Sequence, residues 1–193
     1  MAPGANEISR RDWIRRLTAA MAASWPAVVA AQRHAHRMAA AGEGAALQYL
    51  DAASAAEVEA IAAQIVPTGE TPGAHEAGVV YFIDRALTTF DKDKQADYRR
   101  GLAALAEKRL AMFPGSKSFA SLPAADQIAL LGAIETTPFF DLIRVHTVTG
   151  FFANPSYGGN RGLAGWKLIG FEDTFRFTPP FGYYDANYKG GDA

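Results

Sequence analysis

The sequence predicts an all-α protein: a small irregular bundle of about five helices, with an N-terminal signal segment and an extended Gly/Pro/aromatic-rich C-terminal segment. Apolar residues recur at helical spacing in five successive segments between residues 54 and 150. Strand-like alternation of apolar and polar residues is scarce, and the chain has no internal repeat. Its 193 residues are enough for one compact core but few for two. We therefore expect one helical domain over residues 46–152.

The first two predicted helices have recognisable ends as well as apolar stripes. Ser54 and Glu57 form a capping box, in which each side chain bonds to the other residue's free backbone N–H, so a helix should begin there. Pro67 ends it, and its buried face consists of Val58, Ile61 and Ile65. The second helix lies within residues 75–90, with a buried face consisting of Val79, Phe82, Ile83, Ala86 and Leu87. Asp84 is assigned to a solvated face.

Three further helices follow. The third ends near Pro114, and its buried face consists of Tyr98, Leu102, Leu105 and Leu110. In the fourth, Pro123 stands at the start, where proline's missing N–H costs least, and the buried face consists of Ile128, Leu131 and Ile134. The fifth stops around Gly150, and its apolar side consists of Phe139, Leu142, Ile143 and His146.

Composition excludes several functional classes. The chain has 19 basic and 20 acidic residues, and its dense basic cluster is confined to the extreme N-terminus, so nothing indicates nucleic-acid binding. It has no cysteine, which excludes disulfides, thiolate metal sites, iron–sulfur clusters, haem attached through cysteine and thiol catalysis within this chain.

Residues 1–31 have the layout of a twin-arginine-type signal peptide. Its motif consists of Ser9, Arg10, Arg11, Trp13 and Ile14. The stretch from Leu17 to Ala31 carries no charge and has about 15 residues, too few to span a membrane as a mature helix. The segment therefore suits insertion and removal. Small residues fit cleavage after Ala31, and cleavage a few residues to either side would fit nearly as well.

The alternative for this segment is an amphipathic first helix, because several of its apolar residues lie near helical spacing. Pro26 counts against it, since proline breaks a long structural helix, and so does the confinement of charge to one end. Residues 32–45 are predicted to be a linker. His34 and His36 within it form an H-x-H pair, which without further ligands is more simply a flexible tail than a metal site.

Residues 153–193 change in texture: they are rich in glycine, proline and aromatic residues and show no helical period. Aromatic side chains offer large contact areas, and glycines allow close backbone approach, so this segment suits wrapping over a partner protein. The alternative is an ordered coil folded over the domain's own helices. Composition leaves both readings open.

Several motifs carry a resemblance to a known family. The run H-T-V-T-G-F-F-A-N-P-S-Y-G-G-N-R begins at His146, and G-W-K-L-I-G-F ends at Phe171. Upstream lie P-T-G-E-T-P-G-A-H-E-A-G-V-V-Y-F-I-D at residues 67–84, Y-R-R-G-L-A-A-L at residues 98–105 and L-P-A-A-D-Q near Pro123. Together these segments, across about residues 50 to 171, resemble the gluconate 2-dehydrogenase subunit 3 family.

The resemblance implies a non-catalytic small subunit of a periplasmic or membrane-associated dehydrogenase complex. The implied large subunit is an FAD-containing flavoprotein of the glucose–methanol–choline type that oxidises a sugar, glycoside or sugar acid. Electrons would pass to a c-type haem protein in a possible third subunit. The small subunit would carry the export signal to the twin-arginine translocase and take the folded flavoprotein with it. No cofactor is then expected in this chain itself.

The motif block supplies the candidate functional residues. A role in partner binding or in the fold is assigned to His146, Phe151, Phe152, Tyr157, Gly158, Gly159, Asn160, Arg161 and Trp166. A base beside an Asn and an Arg could assist hydride transfer, with Lys167 nearby, but His146 lies on an apolar helix side, where a structural imidazole is the simpler reading. Phosphate-cradling and nucleotide-binding motifs are lacking in the sequence.

Three hypotheses follow. The first is an export and assembly subunit, and the second is a subunit whose residues 146–166 reach the partner's active site and shape its specificity. The third is a free-standing periplasmic binding protein or metal carrier, which would use the four histidines His34, His36, His75 and His146.

Overall fold

The computed structural model describes residues 46–174. The predicted signal peptide with Ser9, Arg10, Arg11, Trp13 and Ile14, the linker with His34 and His36, and the tail from residue 175 lie outside the described residues. Within residues 46–174 the fold is all-α and contains no strand, so the predicted fold class is confirmed. None of the helices in this range is long and apolar enough to span a membrane.

Six α-helices form the described fold. They are α1 (Ala52–Ile65), α2 (Val79–Thr88), α3 (Gln95–Met112), α4 (Ala124–Gly132), α5 (Pro138–Phe152) and α6 (Ala164–Leu168). Short 3-10 turns occur at Lys92–Lys94, Pro155–Tyr157 and Arg161–Leu163. The packing centres on α2 and α5, which lie against each other, while α1 contacts both of them and α3 contacts α5. The five longer helices match the five predicted segments, and α6 is a sixth that the sequence pattern did not reveal.

The start of α1 differs from the capping box expected at Ser54. The N-cap is Asp51, whose Oδ1 accepts a hydrogen bond of 2.7 Å from the Ser54 backbone N–H. Glu57 instead turns to the Phe119 backbone N–H, 3.1 Å from its carboxylate, and burial raises the pKa of this carboxyl. A tertiary hydrogen bond has replaced the local one, because Glu57 faces the loop before α4 and not its own helix end.

The buried stripe of α2 is as predicted, since all five of its apolar residues are buried. Asp84 on the same helix is also buried, so its assignment to a solvated face was wrong. Its carboxylate accepts backbone N–H bonds of 2.8 to 2.9 Å from Gln48, Tyr49 and Leu50. The charge is compensated by these three donors, which bind the entry segment of the domain to α2.

Two apolar residues predicted to be buried are exposed. Leu110 on α3 is 51% exposed, and the buried position beside it is Arg109, whose guanidinium donates to the Ser116 side chain and backbone. Ile128 on α4 is 60% exposed, and the neighbouring Gln127 is buried and donates to the Phe119 carbonyl. In both helices, hydrogen bonds to the 113–120 loop fix the rotation of the helix, a constraint that hydrophobic periodicity does not contain.

Helix α5 begins at a Thr137 N-cap with Pro138 in the first turn, an arrangement that satisfies the free N–H of Phe140. It continues to Phe152, two residues beyond the predicted stop at Gly150. Gly150 lies inside this helix and faces Phe82 of α2. A Cβ at residue 150 would be 2.7 Å from the Phe82 ring, so the lack of a side chain lets α2 and α5 approach closely.

Candidate functional site

The segment after α5 folds back onto the helical domain. The Arg161 backbone N–H donates to the Ala77 carbonyl at 2.9 Å, and the Trp166 indole N–H donates to the Phe152 carbonyl at 2.8 Å. Residues 153–170 therefore pack on the domain's own helices. Wrapping of the predicted segment 153–193 over a partner stays a prediction. The lack of a helical period concealed two 3-10 turns and helix α6, which are too short to repeat.

Glycines in this segment permit backbone contact with α5. A Cβ on Gly159 would lie 2.2 Å from the Gly150 carbonyl oxygen, and one on Gly165 would lie 2.1 Å from that of Phe151. Gly158 has a φ of 103° and caps the turn at Pro155–Tyr157. The glycines of the Y-G-G-N-R motif thus allow the loop to pack directly against the end of α5.

Asn160 fixes the loop from inside. It is fully buried, its amide Nδ2 donates to the Ala153 carbonyl at 2.9 Å, and its Oδ1 accepts from the Gly165 backbone N–H at 2.8 Å. Its φ is 49°, in the left-handed region that asparagine tolerates better than most residues. One side chain therefore connects the end of α5 to the start of α6.

Arg161 lies at the rim of this packing. Its guanidinium carbon is 3.7 Å from the centroid of the Tyr81 ring, a cation–π contact. A Cβ on Gly78, which has a φ of 64°, would be 2.5 Å from the arginine side chain. Gly78 is thus the left-handed N-cap of α2. Because it has no side chain, it also leaves room for the Arg161 side chain.

His146 lies in a separate buried cluster between α3 and α5. The Tyr98 hydroxyl donates to its Nδ1 at 2.9 Å, and its Nε2 is 3.2 Å from an Asp91 carboxylate oxygen. The ionised carboxylate only accepts, so the neutral imidazole carries its proton on Nε2. Burial lowers the pKa of His146 and raises that of Tyr98, so both stay neutral near pH 7. The hydrogen bond between Tyr98 and His146 thereby connects α3 with α5.

The motif aromatics divide between core and surface. Phe151 is buried, and Phe152 packs edge-on against it with the ring centroids 5.1 Å apart. Tyr157 is 47% exposed and meets the edge of Phe90. Trp166 packs against Phe171 at 4.9 Å. Beyond it, three large apolar side chains are about half exposed or more, and we call them the apolar strip: Leu168 (50%), Ile169 (61%) and Phe171 (49%).

A cavity of about 670 Å³ lies beside the apolar strip. One wall is the turn-rich loop at residues 67–78 together with α1, and the other is the segment from Arg161 to Leu168. Its lining includes Glu59, His75, Glu76, Arg161 and Lys167. Two of the motif-bearing segments, remote in sequence, therefore meet at one cavity whose lining includes Glu76, Arg161 and Lys167.

The predicted residues are thus only partly brought together. Arg161 and Lys167 share the cavity, whereas His146 does not line it and instead lies between α3 and α5. Sequence reasoning missed Gly78, Tyr81 and Glu59. Gly78 and Tyr81 stand in the upstream motif, which was a usable signal, but no local pattern connects Glu59 with residue 161.

The histidines do not assemble in the part of the chain that the structure describes. His75 is exposed and bonds to Glu59 at 2.9 Å, while His146 has Tyr98 and Asp91 as partners. No group of three or more potential metal ligands occurs among residues 46–174. The metal-carrier hypothesis therefore gains no support from these residues.

These features define a class of protein: a small helical domain whose glycine-rich motif holds an apolar strip beside a cavity. Residues 52–173, more than half of the chain, match the family described as Gluconate 2-dehydrogenase subunit 3. The chain belongs to this family, as its motifs predicted, and the family description makes it a subunit of a multi-subunit gluconate 2-dehydrogenase. No curated protein and no solved structure matches the chain.

Proposed function

We propose that this chain is the non-catalytic small subunit of a periplasmic sugar, glycoside or sugar-acid dehydrogenase complex, needed for the export, assembly and stability of its flavoprotein subunit. The partner would be an FAD-dependent enzyme of the glucose–methanol–choline type, with a cytochrome c subunit as electron acceptor. Membership of the Gluconate 2-dehydrogenase subunit 3 family supports the subunit role. The signal-like residues 1–31 support the export role.

The observation that carries this proposal is the apolar strip. Its three side chains are consecutive or nearly so, and each leaves about half or more of its surface uncovered in the part of the chain that the structure describes. Large exposed apolar side chains that cluster are typical of protein–protein interfaces, since covering them releases water. We therefore assign the apolar strip as the surface of this chain that contacts the flavoprotein.

The motif explains how the strip is held ready. Asn160 bonds to the first turn of α6, and Trp166 bonds to the end of α5, so the short helix that bears Leu168 is fixed at both sides. A rigid surface loses little conformational entropy when a partner binds. The motif residues then act in partner binding by positioning the strip.

Two isoleucines of nearly equal exposure provide a matched test. Ile169 in the strip is 61% exposed, and Ile128 on α4 is 60% exposed. Ile169→Asp should weaken binding of the flavoprotein at least about tenfold, because a charge would be buried at the interface, whereas Ile128→Asp should leave it unchanged. Co-expression with the flavoprotein, affinity capture and titration of the two purified subunits measure the difference. Equal effects of the two variants would refute the assignment.

The export role has its own experiment. Changing Arg10 and Arg11 together to Lys should retain both subunits in the cytoplasm, because the twin-arginine signal would be lost although the charge is kept. Cell fractionation followed by immunoblotting and an activity assay gives the readout. Normal export of the double variant would favour the alternative reading of residues 1–31 as an amphipathic helix. Full export and FAD loading of the flavoprotein without the small subunit would refute the assembly role.

A further inference from the structure

We propose that the last turn of α3 and the turn after it, residues 108–117, dock on an anionic lipid surface. We call this region the α3 tip. It is separate from the apolar strip and from the cavity beside the strip. The inference rests on the proposed function only for location, since a periplasmic protein has a membrane within reach, and it does not depend on contact with the flavoprotein.

The α3 tip exposes apolar side chains and buries a charged one, which reverses the usual distribution. Leu110 is 51% exposed, Met112 is 36% exposed, and Ala111 and Pro114 are exposed as well. Arg109 is only 7% exposed. A buried guanidinium must recover in hydrogen bonds what it loses in hydration, whereas the opposite order of residues 109 and 110 would place leucine inside and arginine in water. The tip thus presents a cluster of apolar side chains to its surroundings.

The turn that follows α3 forms hydrogen bonds with itself and with the helix end. The Phe113 carbonyl accepts from the Ser116 backbone N–H at 3.1 Å and from the Ser116 hydroxyl at 2.6 Å, and the Phe113 N–H donates to the Arg109 carbonyl at 2.7 Å. The Arg109 guanidinium donates to the Ser116 carbonyl and hydroxyl oxygens. Polar groups that are already paired cost less to transfer from water to a lipid interface. A rigid tip also loses little conformational entropy on contact.

The turn projects into open space. Gly115 has a φ of 84°, and a Cβ at this position would meet nothing within 4 Å. Its neighbour Pro114 is exposed, and so is Lys117 at the far side of the turn. A protein partner would need a concave surface of matching shape to cover such a projection, whereas a lipid surface deforms around it. The shape of the tip therefore favours lipid as the occupant.

Exposed lysines flank the apolar side chains of the tip on both sides. Lys108 precedes them and Lys117 follows the turn, and neither has a hydrogen bond or ion pair within residues 46–174. Residues 108–117 contain no acidic residue, and Glu107 lies one residue further from the helix end than Lys108. Unpaired lysines beside apolar side chains are attracted to anionic headgroups while the apolar groups enter the lipid interface. The charge of the tip thus complements an anionic membrane.

Val145 on α5 provides a contrast of equal exposure. It is 51% exposed, as Leu110 is, but it lines a groove against the first half of α3 together with Asp97, Arg100 and Asp141. The charges around this groove are paired, since Arg100 contacts Asp97 and Arg144 contacts Asp141. Paired charges offer little attraction to anionic headgroups. Residue 145 is therefore a matched control for the tip.

Site-specific labelling tests the contact directly, because the chain has no cysteine and a single introduced one carries a single label. Ala111→Cys places an environment-sensitive fluorophore on the tip, and Val145→Cys places it at the control position. The full-length chain is mixed with vesicles of equimolar phosphatidylcholine and phosphatidylglycerol. The label at residue 111 should shift its emission to the blue and be quenched by nitroxide-bearing lipids, and the label at residue 145 should do neither. This local readout separates the tip from residues 1–31, whose basic and apolar side chains bind vesicles on their own account.

Substitutions in the chain labelled at residue 111 test the two parts of the recognition. Leu110→Asp should weaken the contact at least about tenfold, because it puts a charge where an apolar group enters the interface, whereas Val145→Asp should leave it unchanged. Lys108→Gln and Lys117→Gln should each weaken it about fivefold, and vesicles of phosphatidylcholine alone at least about tenfold, because the attraction to anionic headgroups is lost. Vesicle titrations give these values, and circular dichroism shows that each variant retains its fold.

Several outcomes would overturn the inference: a label at residue 111 that responds no more than the label at residue 145, equal responses to neutral and anionic vesicles, or equal effects of Leu110→Asp and Val145→Asp. A dimer that Leu110→Asp disperses in sedimentation would instead assign the tip to a second copy of the chain, and loss of flavoprotein capture in Leu110→Asp would assign it to that subunit. Capture through Ile169 is measured without lipid, so failure here is distinguishable from failure of the proposed function.

Discussion

Asn160→Ala is the substitution to which we expect the motif to be most sensitive. The side chain is fully buried and makes two hydrogen bonds to backbone groups on different elements, Ala153 and Gly165. Alanine removes both bonds, leaves their partners unpaired and places a Cβ without polar compensation at a φ of 49°. Three separate costs therefore add at one position.

The magnitude follows from the burial of each group. The Gly165 N–H is buried, so leaving it unpaired costs roughly 1 to 3 kcal/mol, and the partly buried Ala153 carbonyl adds about 0.5 to 1.5 kcal/mol. The left-handed backbone adds roughly 1 kcal/mol for alanine relative to asparagine. The expected loss in free energy of unfolding is about 2.5 to 5.5 kcal/mol, a large fraction of the roughly 5 to 15 kcal/mol typical of a domain.

Urea unfolding of the full-length chain, followed by circular dichroism at the helix minimum, measures this loss. Asn154→Ala is the matched control, because Asn154 is exposed and accepts one hydrogen bond, from the Ser156 N–H at 3.0 Å, so its loss should be about 1 kcal/mol or less. Asn160→Gly should be less destabilising than Asn160→Ala by about 1 kcal/mol, since glycine accepts positive φ. A loss at Asn160 no greater than that at Asn154 would refute the reasoning.

Two further predictions concern stability and are measured by the same unfolding experiment. Gly159→Ala should lower the free energy of unfolding by about 1 to 3 kcal/mol, because the new Cβ would lie 2.2 Å from a carbonyl oxygen of α5. Gly132→Ala should raise it by about 0.5 to 1 kcal/mol, because a Cβ at residue 132 meets nothing within 4 Å. Effects of the same sign for both variants would contradict the packing argument. Burial lowers the pKa of His146 in the folded chain, although the Asp91 carboxylate acts in the opposite direction. The unfolded chain therefore binds the proton more readily. The free energy of unfolding should fall as pH decreases from about 6.5 towards the lowered pKa of the folded chain. His146→Gln should flatten that slope below about pH 6.5, and an unchanged slope would show that another group titrates there.

Prediction from sequence succeeded where the cause is local. The five longer helices arise from apolar residues at helical spacing and from ends marked by Pro67, Pro114 and Pro123, all of which are visible in a short window. The family was also recognisable, because its motifs combine glycines and aromatics at fixed spacing. The buried stripe of α2 needed no tertiary information.

Prediction failed where a distant group competes for a side chain. Glu57 leaves its expected cap for the loop before α4, and Asp84 is buried because three N–H groups from residues 48–50 surround its carboxylate. Leu110 and Ile128 are exposed because hydrogen bonds by their neighbours set the helix rotation. Each error has the same origin, since a hydrogen bond formed through tertiary contact outweighs a weak local preference.

The sequence by itself therefore determined the fold class, the helical segments and the family, because these depend on the order of residues within short windows. Only the tertiary structure decided that residues 153–170 pack on the domain, that His146 is a buried structural pair with Tyr98, and that Arg161 faces a cavity shared with Glu59 and His75. The physical reason is distance along the chain. Glycine backbones pack closely here, and Asn160 and Leu163 adopt left-handed conformations. Both features bring together groups about a hundred residues apart, and a local sequence pattern does not predict such contacts.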